Sequence, residues 1–472
     1  MAIPRNLSVT TTRTHGFIAT RRAPPDLRAC AVVAWLVVLG GADSACGQQP
    51  QAAAISRGDT ADEDSALTST EQGSTPIEGT YQEPRQWRLE QRREAFKDTK
   101  VQFDLRTMYM NRNTFDGAEN EAWAIGGWAG VKTGYFLDHI ALAATAYTSQ
   151  PLYAPANKDG TQLLASGQEE YSVLGELYAD VRITDDLNLY GGRKGYDTPY
   201  INRNDTRMTP NTFEAITLQG RAELGDSGGT LKYGVGYFDK IKERNSDEFE
   251  SMAAAAGATV DRGVYTAGAL YQNGGFSFVG IDYYSPDIIN IGYLEAKVEF
   301  PLGHDLQLRL AAQFADQRSV GADLLKGESF SARQFGLKAE VPVGRALFTA
   351  AYTAASGNAN MQSPWSGYPG YTSVQIQNFN RYGEDALLLR AGYKFACVEG
   401  LSAYALGVFG SPPNEAGQYR QDECDLNLQW AAPSGMLDGL ALRVRYAVAE
   451  QHGGNVDNYT DFRVMCNYIR TF

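Results

Sequence analysis

Two arginines set two residues apart raise the first chemical question of this sequence. In "LDGLALRVRYA", Leu437 to Ala447, a period of two places Arg443 and Arg445 on one face and Leu440, Leu442, Val444 and Tyr446 on the other. At about 3.4 Å per residue the two guanidinium groups stand about 7 Å apart along such a strand. Guanidinium holds carboxylate in a bidentate fork, so successive arginines can pass an anionic group along. Arg390 in "LLLRAGYKF", Arg463 in the last alternating segment and Arg106 in the first join the group if the chain closes on itself. The plainer alternative pairs these arginines with neighbouring acids for structure alone.

Other chemistries find less in the chain. Beyond residue 47 the histidines are His139 and His304, by short turns, and His452, in a longer connection, none near a serine that it could activate. No P-loop, GxSxG, HExxH or dinucleotide fingerprint occurs, so no enzymatic activity is expected. Cys397, Cys424 and Cys466 are odd in number, with neither CxxC nor metal-ligand spacing, so no disulfide framework, metal or cofactor is expected. The acidic stretch "NSDEFESMAAAAGATVD" lacks the ligand spacing of a Ca²⁺ loop and reads as a solvated face. A net charge of −13 without a basic patch argues against nucleic acid as a partner.

The arginines need a surface that is apolar on one side and wet on the other. A soluble sandwich and an outer-membrane barrel both provide one, and the rest of the chain chooses between them. From Val101 onward, alternating segments of about 9 to 12 residues recur, the length of a tilted membrane-crossing strand. Eighteen are read: 101–110, 122–133, 138–148, 171–183, 186–194, 211–223, 229–239, 262–272, 275–285, 289–300, 305–315, 332–342, 345–354, 385–396, 401–409, 424–431, 439–449 and 460–472. Every second connection is short ("YFLD", "TD", "GDSGG", "NG", "PLGH", "VG", "CVEG", "APSGMLD"). The intervening ones are mostly long and polar, as at Ser149 to Glu170, Gly195 to Pro210, Lys240 to Asp261 and Ala355 to Glu384. Tight periplasmic turns and long extracellular loops explain that alternation, and a sandwich does not. Only Ser285 to Ile288 is shorter than the pattern requires.

The faces agree. In "NIGYLEAKVEF", Leu294, Ala296, Val298 and Phe300 would meet lipid, and Tyr293, Glu295, Lys297 and Glu299 a watery lumen. In "DLQLRLAAQF", Leu306, Leu308, Leu310 and Phe314 point out, and Gln307, Arg309 and Gln313 in. Tyr109, Trp123, Tyr135, Tyr393, Phe395, Trp430 and Tyr468 would ring the two interfaces. Hydrocarbon tolerates no open sheet edge, so the first strand must meet the last. Closure then replaces a buried core and makes Arg106 a neighbour of Arg463. One wall is basic and Glu176, Asp180, Glu295 and Glu299 lie elsewhere, a transverse field that orients charged solutes. The fold class expected is all-β, a single closed antiparallel barrel of about 18 strands covering 101–472.

The N-terminal part is of another kind. Five arginines precede the apolar run "ACAVVAWLVVLGG", too short to span a bilayer, and small residues follow, so residues 1–47 read as an export signal. Lipidation at Cys46 is disfavoured by Asp43. Residues 48–100 read as an extension in the periplasm, polar and disordered to about Pro84, then a charged segment "RQWRLEQRREAFKDTK" that is either a short helix at the barrel rim or a solvated linker.

Three stretches carry a family resemblance: "NRNDTRMTPNTF", "PWSGYPGYTSVQIQNFNRYGEDALLLRAGYKF" and "LDGLALRVRYA", with a little added by "YMNRN" and the final strand ending on Phe472. From about Val101 to Phe472 the chain resembles the OprD-type substrate-selective porins. The resemblance implies an eighteen-stranded outer-membrane barrel through which small solutes, typically bearing a carboxylate, diffuse past an eyelet narrowed by inward-folded loops. It implies that Arg390, Arg443 and Arg445 belong to a basic ladder and that Arg207 helps form the eyelet. Asn204 and Asp205, between Pro199 and Pro210, suit a rigid constriction loop. The expected partners are outer-membrane lipid, lipopolysaccharide and small solutes, in a monomer or a homotrimer. A non-selective porin and a blocked barrel with a structural or adhesive role remain alternatives.

Overall fold

The computed structural model describes residues 92–93, 95–225, 228–303, 306–453 and 456–472. The export signal, the polar extension to Gln91 and His304 lie outside the described residues.

Period-two patterning produces strands throughout. They are β1 (Lys100–Asn113), β2 (Glu119–Lys132), β3 (Ile140–Tyr153), β4 (Tyr171–Thr184), β5 (Leu187–Lys194), β6 (Thr212–Glu223), β7 (Thr230–Lys242), β8 (Glu250–Ser251), β9 (Val264–Asn273), β10 (Phe276–Ser285), β11 (Ile289–Pro301), β12 (Gln307–Arg318), β13 (Ser331–Val343), β14 (Ala346–Gly357), β15 (Asp385–Lys394), β16 (Leu401–Gly410), β17 (Gln421–Ala431), β18 (Leu440–Gln451) and β19 (Tyr459–Thr471). The two-residue β8 only caps the end of β7, which pairs onward with β9. The remaining eighteen form one antiparallel sheet whose neighbours follow chain order. It closes where β1 pairs with both β2 and β19. Val101 and Phe472 complete the seam with reciprocal backbone hydrogen bonds of 2.9 and 2.8 Å, so no edge is left unpaired. The short β10–β11 connection, which departs from the loop-length pattern, is a tight turn with Asp287 at φ 66°.

The two faces fall as alternation requires. Leu442 is 44 % and Leu294 46 % exposed on the outside, and Gln313 and Tyr293 are buried inside. Tyr135 does not join the outer ring expected of it. Its hydroxyl donates to Asp180 at 2.8 Å on the inner face, beneath the Arg182 guanidinium, because a buried carboxylate with donors to spare around it is a better partner than lipid headgroups.

Closure also does not dispense with a core. The long loops fold back into the barrel mouth and bury Tyr200, Ile201, Trp365 and Tyr368 against Tyr283 and Tyr293 of the inner wall. Two smaller clusters lie beside this one: Leu163, Leu164 and Met208 on Met108 and Met110, and Phe379 on Leu388, Leu406 and Val408. These inward-facing apolar residues are polar-face positions by periodicity, and they are tolerated because a loop rather than water covers them. The stretch read as a solvated face belongs to the same core: it forms the short helix α1 (Met252–Ala255), capped by Ser251, with Met252 and Ala253 buried and the Met252 carbonyl accepting the Trp365 indole N–H at 2.8 Å. At the other end, residues 92–93 and 95–97 are helical and Ala95 is buried, its carbonyl accepting from Gly134 at 2.9 Å, which is the short helix at the barrel rim.

Candidate functional site

Tyr404 organises the basic wall. Alternation on β16 turns its ring inward, where the Arg390 guanidinium from β15 lies 4.0 Å over its centre and its hydroxyl accepts from Arg445 at 3.3 Å. Arg443, two residues along β18, donates from Nε to Asn427 of β17 at 2.7 Å. Arg445 stands directly opposite Arg463 of β19 in the pairing register. Arg390, Arg443, Arg445 and Arg463 therefore share one inner wall across five adjacent strands.

The last two arginines named in the sequence are held differently. Arg463 is 3 % exposed, and grips Asp461 with Nε at 2.8 Å and Nη2 at 2.6 Å. Arg112 of β1 holds the same carboxylate at 3.0 Å. Arg106 is not the neighbour of Arg463 that closure suggested. The register sets Arg106 against Asn467 and Arg463 against Met110, four residues apart or about 14 Å at strand rise. Strand order alone made them adjacent; the stagger of the closing pair separates them.

Arg106 has another task. It is 5 % exposed, lies 4.1 Å over the Trp128 ring, and donates to Asp104 at 2.9 Å and to both oxygens of Asp205 at 2.5 and 2.8 Å. Its Nη1 also donates to the Arg207 carbonyl at 3.0 Å. Asp205 and Arg207 lie in the loop 195–211 between β5 and β6, so one wall arginine fastens that loop across the lumen. The loop is shaped for its task. Asn204 adopts φ 42°, a left-handed conformation that asparagine tolerates, and its Oδ1 accepts from Arg244 at 3.1 Å. At the loop's start Gly195 packs against the mid-loop Arg203 side chain, which would have to shift for an added Cβ 2.2 Å from its Nε.

Arg207 is 3 % exposed and donates to the Thr161 carbonyl at 2.9 Å and to the Thr206 carbonyl and hydroxyl at 2.9 and 3.3 Å. Burial, followed by the nearby Arg244, Arg463 and Arg112, holds its guanidinium well below the ordinary arginine range. Arg244, from the loop 243–263, is brought down to about 10 by burial and by Arg463 and Arg112.

A second loop, 358–384 between β14 and β15, is fastened from the opposite direction. Its tip presents successive backbone N–H groups to two wall acids: Gln375 to Asp425 at 3.2 Å, and Ile376 and Gln377 to Glu423 at 2.7 Å each. The Gln375 carbonyl accepts from Arg463 at 3.4 Å. Further round, Tyr371 of this loop donates to Glu295 of β11 at 2.6 Å. Of the other acids expected on the far wall, Asp180 is paired with Lys132 at 3.0 Å, Glu299 with Arg309 at 3.2 Å, and Glu176 accepts from Gly195 at 2.9 Å.

The geometry is thus a closed, staggered barrel with two loops pinned across its interior. The family model of the outer membrane porins of the OprD family matches residues 94–472. The chain belongs to the OprD family.

Several solved structures share the fold. Pseudomonas aeruginosa OccK9 (OpdG) is 24 % identical with a TM-score of 0.71, covering 80 % of this chain and 100 % of its own. Acinetobacter baumannii OccAB3 is 17 % identical with a TM-score of 0.72 and the same coverage, 80 % and 100 %. Pseudomonas aeruginosa OpdK, solved with vanillate, is 20 % identical with a TM-score of 0.69, again covering 80 % and 100 %. A search of curated proteins finds no match. As an OprD-family porin the chain is an outer-membrane β-barrel channel and not an enzyme. Sequence reasoning missed four parts of its interior: Tyr404, Arg112, Arg244 and the acid pair Glu423 and Asp425. Tyr404 and the acids were recoverable from alternation on β16 and β17. Arg244 had no such signal, since a loop carries no period.

Proposed function

We propose that this OprD-family porin passes small carboxylate-bearing solutes passively and selectively, along the wall run Arg390, Arg443 and Arg445, with the Asp461-paired Arg463 beside it, and through an eyelet narrowed by loops 195–211 and 358–384. The observation that carries the reading is the division of labour among the arginines. Arg106 is saturated by Asp104 and Asp205 and holds the eyelet loop. Arg390, Arg443 and Arg445 instead lean on Tyr404 and Asn427, which orient their guanidinium groups along the wall, with Asp425 within the electrostatic reach of Arg445. Arg207 belongs to the eyelet through its loop, with Asn204 and Asp205 setting the loop's course.

Residues 1–47 act in this reading as the export signal, and residues 48–100 as a periplasmic extension ahead of the barrel. The outer-membrane lipid, including lipopolysaccharide, surrounds the apolar exterior. The test is a liposome-swelling panel of organic acids, amino acids and sugars matched in size. Acids should enter faster than neutral solutes of the same size. Equal rates would leave a non-selective porin, and no swelling at all a blocked barrel.

A further inference from the structure

Arg244 and Arg207 come from different loops and meet at one hydroxyl. Arg244 Nη1 donates to Thr206 Oγ1 at 2.6 Å and Arg207 Nη1 donates to the same oxygen at 3.3 Å. The two Nη1 atoms therefore lie within roughly 6 Å of each other, a spacing that the two oxygens of one carboxylate can bridge. Like charges this close need either an acid between them or a reason to stay.

Among the described residues no acid is paired with either. Arg244 donates to Asn204, Thr206 and Gln162, and Arg207 to Thr161 and Thr206, all of them neutral. The nearest helpful carboxylates act at a distance: Glu243 on Arg244, and Asp461 on Arg207, the latter already gripped by Arg112 and Arg463. Five N–H donors sit on each guanidinium, and Arg207 Nη2 and Arg244 Nε have no hydrogen-bond partner among the described residues. The pair lies on the outer side of the wall run. Arg112 and Asp461, within its electrostatic reach, stand at the ends of β1 and β19 that lead into the external loops.

We propose that Arg244 and Arg207 form a loop-built anion station that takes a solute carboxylate before it reaches Arg445 on the wall. This rests on the reading of the lumen as a carboxylate path and assigns Arg244, which lies outside the wall run, as a specificity-determining residue. The neutral partners Asn204, Thr206 and Gln162 fix the guanidinium plane, and the incoming carboxylate supplies the counter-charge that the protein omits. One consequence is structural: the station exists only while loops 154–170, 195–211 and 243–263 are assembled, because each contributes a partner to it.

The test compares sodium acetate with the neutral acetamide in liposome swelling, using the full chain as wild type, R244Q, R244K and R443A/R445A, each first shown to fold by heat-modifiable migration. R244Q should lower acetate entry roughly fivefold, the Coulomb factor for one charge at contact in a water-like medium, with acetamide entry unchanged. R244K, which keeps the charge but not the fork, should retain most of the acetate preference. If R244Q slows acetate and acetamide alike, or R244K behaves as R244Q, Arg244 only holds the loops and the proposal is overturned. If R244Q changes nothing while R443A/R445A abolishes the preference, the station fails and the wall reading stands. Equal wild-type entry of acetate and acetamide overturns both together.

Discussion

Replacing Asp205 by Asn isolates the tie that holds loop 195–211 to the wall. Arg106 donates to Asp205 at 2.5 and 2.8 Å, and these two charge-assisted bonds are the loop's ion-pair link to the wall, alongside the 3.0 Å bond to the Arg207 carbonyl. The side-chain amide keeps one acceptor oxygen and presents an NH₂ to a guanidinium that also has only donors. The loss is about 1.5–3 kcal/mol, the range for a hydrogen bond to a charged group, or roughly a 10- to 150-fold change in the ratio of undocked to docked loop. Arg106 keeps Asp104, so no buried charge is stranded and the barrel should fold. In single-channel recordings D205N should show brief current steps that are rare in wild type, with their dwell-time ratio raised by about that factor. R106A, which strands the buried Asp104, should fold poorly. Wild-type current noise in a folded D205N channel would refute the assignment of Arg106 as the loop's anchor.

The second loop should loosen when Glu423 becomes Gln, because two backbone N–H groups at 2.7 Å then share one neutral oxygen in place of a carboxylate. Limited proteolysis of the folded barrel within residues 358–384 should speed up, and an unchanged rate would contradict the contact. Anion preference should fall as pH rises through about 10, since Arg244, held down to that value by burial and by Arg463 and Arg112, is charged below it and neutral above. Reversal potentials measured across that range should fall more steeply in wild type than in R244Q, where only the lysines and tyrosines that ordinarily titrate at about 10 remain. Deleting Phe472 removes the reciprocal bonds to Val101 and a ring contact with Phe103 at 6.2 Å. The folded, heat-modifiable fraction recovered from membranes should drop, and normal recovery would show that the seam closes without its last residue.

The barrel was legible because period-two patterning and loop-length alternation are strict demands of a closed sheet in hydrocarbon. Each of the eighteen staves overlaps its predicted segment, and the short β10–β11 turn is real. The inward placement of Arg443, Arg445, Arg390 and Arg463 followed from the same alternation. What each arginine does was not legible. Arg106 and Arg445 look equivalent on a strand, yet Asp205, 99 residues away, claims the first. Stagger, which separates Arg106 from Arg463, is a property of closure that no single segment encodes. Met252, Trp365 and Tyr368 illustrate the remaining gap: loops carry no period, so their shared core inside the mouth had no sequence signature, and an acidic start hid the apolar helix behind it.

The central claim is that Arg443 and Arg445 present charge to passing anions, and the reversal potential in planar bilayers under a KCl gradient measures it most directly. Wild type should prefer chloride, and R443A/R445A should move the potential toward cation preference while the protein still folds, since lumen-facing changes tune selectivity more than stability. A folded double variant whose reversal potential matches wild type would contradict the account.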